Sequence, residues 1–153
     1  MAHGASAQPS AATRRPGEGH DTRPVPGRGW TFSTFRVMVG LQVLAIFVQA
    51  ITAGLVVAGR PGAKPLHGTT ATVALLVGLL TLVAAILVWK PGGGSARFTV
   101  PSGVLLVLLV VQSILGGNHV KAVHVPLGVA LFGGVVVVAV QAWSGPRARS
   151  VRS

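Results

Sequence analysis

Four long apolar runs, residues 37–58, 69–89, 98–115 and 122–143, contain no Asp, Glu, Lys or Arg. Each is close to the roughly 17–25 residues that a helix needs to cross a bilayer. Hydrocarbon offers no water to the backbone, so each run must satisfy its own N–H and C=O groups, which a single segment does by becoming an α-helix. The sequence therefore predicts an all-α protein with membrane-spanning helices over about 36–58, 69–89, 99–116 and 121–143. Half of the 153 residues are hydrophobic and only a tenth are charged, which rules out an ordinary soluble domain.

A phrase that occurs twice orders the four helices. Residues 48–54 read Val-Gln-Ala-Ile-Thr-Ala-Gly and residues 111–117 read Val-Gln-Ser-Ile-Leu-Gly-Gly. After a loop, the first is followed by Lys64-Pro65-Leu66-His67 and the second by Lys121-Ala122-Val123-His124. Each phrase closes one apolar run and opens the next, so the apolar region reads as two repeated helix hairpins. The segment Lys90-Pro91-Gly92-Gly93-Gly94-Ser95 is a flexible turn between them. Short loops make successive helices antiparallel neighbours, giving an up-down-up-down four-helix bundle with helices one and three, and two and four, on its diagonals.

The net charge of +11 raises the question of a nucleic-acid partner, and the position of the cations answers it. Arg14, Arg15, Arg23, Arg28, Arg36, Lys90, Arg97, Arg147, Arg149 and Arg152 fall on one side of the predicted topology, against Arg60, Lys64 and Lys121 on the other. This bias places both termini in the cytoplasm of a multi-pass protein in the cell membrane. The cations orient the chain against the lipid bilayer, and no nucleic-acid partner is expected. Trp30, Trp89 and Trp143 all fall at the cytoplasmic ends, the headgroup level that Trp favours.

Three regions follow. Residues 1–30, rich in Pro, Gly, Ala, Ser and Arg, have too little apolar surface to fold alone and are expected to be a disordered basic cytoplasmic tail. Residues 31–143 form the bundle, and 144–153 a second basic tail. Arg14-Arg15 is followed at once by Pro16 and is read as tail rather than export signal, and His3 and His20 receive no role. Ser33 or Thr34 is placed as the cap of the first helix, and Gly116-Gly117-Asn118 as the left-handed close of the third.

The chemistry-bearing residues gather at the outer ends of the helices. His67 and His124 stand near the starts of the second and fourth helices, diagonal to each other at similar depth. One planar ligand on the bundle axis can meet both imidazoles, and haem with two axial histidines fits that description. With no Cys in the chain, covalent haem attachment and thiolate ligation are excluded, so any haem would be held by histidine or methionine; haem b is the expected cofactor. Gln49 and Gln112 come from the other diagonal pair. They are read either as partners of an imidazole's second nitrogen or a haem edge, or as hydrogen bonds between helices. Lys64 and Lys121, one turn outward of the histidines, either pair with anionic propionates, with Arg60 as a further cation, or extend to the interface. The blander reading of each histidine is a solvated interfacial side chain. His119, in the loop, is expected to be exposed and is the alternative ligand to His124. Glycines at 40, 54, 78, 116, 117, 128, 133 and 134 allow close helix packing or room for a macrocycle.

At Gln112-Ser113-Ile114-Leu115-Gly116-Gly117, followed by His124, the chain resembles the third and fourth helices of one half of the haem A synthase family. The resemblance covers roughly residues 36–143 and implies a haem-binding four-helix unit with His67 and His124 at the family's histidine positions. It is similar also to small four-helix membrane proteins of unassigned function with the same Gln-Gly-His layout. Where the family's substrate-side half has a glutamate before its first histidine and an arginine after it, this chain has Lys64 and Gly68. The chain's acids are Glu18 and Asp21, both in the tail, so no carboxylate serves acid–base work within the membrane. Haem A synthesis by this chain alone is not expected. The expectation is a haem protein for electron transfer or haem handling, with a membrane redox partner or as a homo-oligomer. The alternative is a cofactor-free membrane scaffold or assembly protein, with a transporter third.

Overall fold

The computed structural model describes residues 28–144, together with Met1. The two predicted tails lie outside the described residues, except for 28–30 and 144, which belong to helices. The chain forms α1 (Arg28–Val57), α2 (Ala63–Trp89), α3 (Thr99–Gly117) and α4 (Lys121–Ser144), with a short 3₁₀ turn, Ala96–Phe98, leading into α3. All four helices are long and apolar enough to span a membrane, and no strand occurs among the described residues. This is an integral membrane protein with an all-helical, four-helix bundle fold.

The helices follow one another around a ring, with α1 against α2, α2 against α3, α3 against α4 and α4 back against α1. Most Leu and Val side chains, among them Leu44, Leu79, Val107 and Val129, point outward. That distribution suits a lipid solvent, which rewards apolar surface and leaves close packing to hold the helices together.

The bundle has a tight end and a looser one. At the end carrying the described termini, Phe35, Val39, Phe98, Ala85 and Ala142 are buried. Phe35 and Phe98 stack with ring centroids 4.9 Å apart, and Phe32 lies 5.9 Å from Phe98. Arg36 reaches from α1 to α4, where its Nε donates to the carbonyl of Ala142 at 2.9 Å while its guanidinium lies 4.7 Å from the Phe32 ring. A cation on the carbonyls at a helix C-terminus satisfies groups that the helix itself leaves open. The Trp143 ring packs on Gly40, where a Cβ would stand 3.3 Å from it.

α2 opens at Ala63 rather than near residue 69, and two further helix boundaries differ from the sequence reading. Ser33 and Thr34 do not cap α1. They lie inside it and donate to the carbonyls of Gly29 and Trp30, four residues back, at 3.0 and 2.9 Å. The helix extends to Arg28 because Phe32 and Phe35 gain the Phe98 contact only if that turn is helical. At the end of α3, the left-handed residue is His119, with φ of 59°, rather than one of Gly116, Gly117 or Asn118. His119 N–H donates to Gly116 O at 3.2 Å and Val120 N–H to Leu115 O at 2.9 Å, the paired bonds of a Schellman close. The end of α1 makes the same two bonds through Gly59, φ 66°, and Arg60.

Candidate cofactor site: a paired-histidine cavity

Both histidines sit in the opening turns of their helices, His67 in α2 and His124 in α4. These helices are diagonal in the bundle, yet the two rings approach to 6.2 Å between centroids, with planes 77° apart. Each ring is half-buried and lines a cavity of about 400 Å³. The wall includes Phe47, Ala50, Gln112, Gly128 and Phe132 and is overwhelmingly apolar. That volume lies within the roughly 300–1,000 Å³ typical of small-molecule sites.

Each ring is held by a hydrogen bond at Nδ1. His124 Nδ1 lies 2.9 Å from the backbone oxygen of Gln112. A carbonyl only accepts, so Nδ1 carries the proton, and in the neutral ring Nε2 is the acceptor. His67 Nδ1 lies 2.9 Å from Thr52 Oγ1, which in turn is 3.1 Å from the backbone oxygen of Gln49. With its one proton on that carbonyl, Thr52 accepts from Nδ1–H and His67 takes the same tautomer; with the proton turned to the ring, Nδ1 is the acceptor. The two Gln carbonyls thus anchor the two rings, one directly and one through a hydroxyl.

The glutamine side chains hold the backbone beneath the rings rather than the rings themselves. Gln49 Nε2 donates to the His67 carbonyl at 3.2 Å and to Thr70 Oγ1 at 2.7 Å. Gln112 Nε2 donates to the His124 carbonyl at 2.7 Å. These are bonds between helices, two in the first hairpin and one in the second. Two glycines permit them: a Cβ on Gly116 would stand 2.8 Å from His124 Cε1, and one on Gly128 would stand 2.9 Å from Gln112 Nε2. Gly54, Gly117 and Gly133 meet no such crowding.

Lys64 and Lys121 are exposed at the hairpin end and do not line the cavity, and Arg60 is exposed beside them. His119 is exposed in its turn and also lies off the cavity. Thr52 is the participant that sequence reasoning overlooked. It lies in the first phrase, but the matching position of the second is Leu115, so comparing the copies passed over it. Among the described residues no group of three or more His, Cys, Asp or Glu side chains converges to hold a metal ion. Comparison with protein-family models, with curated proteins and with solved structures finds no match for this chain.

Proposed function

We propose that this integral membrane protein binds one b-type haem in the cavity, with His67 and His124 as axial ligands, and serves electron transfer or haem handling in the cytoplasmic membrane. The observation that carries the reading is the paired imidazoles, 6.2 Å apart, each held at Nδ1 and each on the wall of one apolar cavity. With metal–imidazole nitrogen distances of about 2.0–2.1 Å, two rings on opposite sides of one ion have centroids roughly 6 Å apart. Ligand histidines characteristically donate their other N–H to a protein oxygen, as His124 does to the Gln112 carbonyl; the Thr52 hydroxyl is placed to accept in the same way from His67.

The donor set favours a macrocycle over a bare ion. Two imidazoles fall short of the three or four protein ligands of a zinc site, whereas a porphyrin supplies the remaining donors. A haem iron held by two imidazoles supplies one-electron transfer with no open coordination position. The chain's own residues hold and orient the rings, and the apolar wall keeps water from them. Lys64 and Lys121, exposed at the same end of the bundle as the cavity though not on its wall, are suited in charge to pair with propionates. The likeness of residues 112–117 and His124 to the haem A synthase family supports the same reading. The cation bias supports cytoplasmic termini, which sets the cavity near the outer face, and the redox partner would lie in or on the membrane.

The test is optical. Protein purified in detergent from haem-replete cells is expected to show oxidised and reduced haem spectra, abolished or altered by His67→Ala and by His124→Ala but unchanged by His119→Ala. A colourless protein that takes up no added haem would overturn the proposal and leave the cofactor-free scaffold. Survival of the spectrum in the double His67→Ala, His124→Ala variant would overturn the ligand assignment.

A further inference from the structure

A second, much smaller cavity lies next to the histidine cavity and shares Ile46, Leu109 and Leu131 with it. Its volume is about 20 Å³, against the roughly 10–15 Å³ that one water needs. Two polar side chains on its wall are buried and lack partners among the described residues: Gln42, 3 % exposed, through Oε1, and Ser102, 4 % exposed, through Oγ. Gln42 Nε2 donates to the Ala74 carbonyl at 3.3 Å, so Oε1 is the amide atom left for the cavity. Ser102 stands apart from Ser33, Ser113 and Ser144, whose hydroxyls all donate to the carbonyl four residues back. Thr81 lines the same cavity and spends its proton on the carbonyls of Val77 and Met38, at 2.8 and 3.2 Å, keeping an oxygen free to accept.

We propose that this cavity is a binding site for a single buried water molecule that links Gln42 of α1, Thr81 of α2 and Ser102 of α3. The donor and acceptor count closes: the water donates to Gln42 Oε1 and to Thr81 Oγ1 and accepts from the Ser102 hydroxyl. Buried waters typically make two to four such bonds. The site is too small for a ligand of several heavy atoms, and three neutral oxygens fall short of the six or more that a calcium ion takes. An unpaired polar atom away from water costs more than one that finds a bridge. The bridge joins α1 to α3, which are diagonal and not otherwise neighbours in the ring, directly below the histidine cavity. This inference does not depend on haem.

The experiment is an experimental density map of the full-length protein, at a resolution that reveals ordered waters at the helix ends. A solvent peak within hydrogen-bonding distance of Gln42 Oε1, Thr81 Oγ1 and Ser102 Oγ is expected, and its absence from such a map overturns the site. A cycle of Ser102→Ala, Gln42→Met and the double variant gives a second reading through reversible unfolding in detergent. Because both side chains act through one water, the cycle is expected to show a coupling of about threefold in the unfolding equilibrium, the size usual for polar bonds between membrane helices. Additive effects would count against the shared water. Should Gln42→Met fail to fold, the map of the unaltered protein decides alone.

Discussion

Thr52 makes the two histidines unequal. Its hydroxyl stands between the Gln49 carbonyl and His67 Nδ1, whereas His124 meets the Gln112 carbonyl directly. Thr52→Val keeps the shape and deletes the hydroxyl, removing the partner of His67 Nδ1. Loss of such an outer partner typically lowers metal affinity by about tenfold to a hundredfold. Haem titration of the variant is expected to show a loss in that range, and ¹⁵N spectra should show an altered His67 ring beside an unaltered His124. Equal affinity in the variant and the parent would mean that the hydroxyl plays no part in holding the ring. The facing histidines were legible in the sequence because their phrase occurs twice. Thr52 was not, because its role depends on the His67 ring falling short of a carbonyl, and such a gap is set by helix spacing rather than by residue type.

At the level of the helices, length and apolar character decide most of the outcome, so four spanning helices and two hairpins could be read from the chain directly. The ends could not, since they depend on contacts made from afar. Ser33 and Thr34 have the chemistry of caps, but the aromatic contact between Phe32, Phe35 and Phe98 carries α1 past them. Gly116 and Gly117 have the freedom to end α3, yet Gly116 is held within the helix, where the His124 ring packs against it. The left-handed turn then falls on His119, at φ 59°. A residue with a Cβ is strained there by about 1–2 kcal/mol relative to glycine, offset in part by the greater freedom that glycine has when unfolded. His119→Gly is therefore expected to stabilise the protein by about 0.5–1 kcal/mol, measured by reversible unfolding in detergent, without changing the spectrum of bound haem. Destabilisation would show that the imidazole makes a contribution the turn geometry does not reveal.

The whole molecule couples a tight end to an open one. Arg36, the Phe32–Phe35–Phe98 cluster and Trp143 on Gly40 lock the end where α1 begins and α4 ends. The hairpin end holds the cavity. The proposed orientation puts the open end outside, and the absence of native cysteine makes this simple to test. In intact cells Arg60→Cys is expected to react with a membrane-impermeant maleimide, and Ser144→Cys only after permeabilisation. The reverse pattern would overturn the orientation.

The unequal anchoring of the rings has a mechanical consequence. A ring tied straight to a carbonyl moves only as far as its helix moves, whereas a ring tied through a hydroxyl has an extra joint. A clamp with one fixed jaw and one compliant jaw can close on its load in a definite order, seating it first against the side that does not yield. In this bundle the directly tied ring belongs to α4 and the ring tied through a hydroxyl to α2, so a haem bound as proposed would have two distinguishable faces even though the phrases that build them read nearly alike.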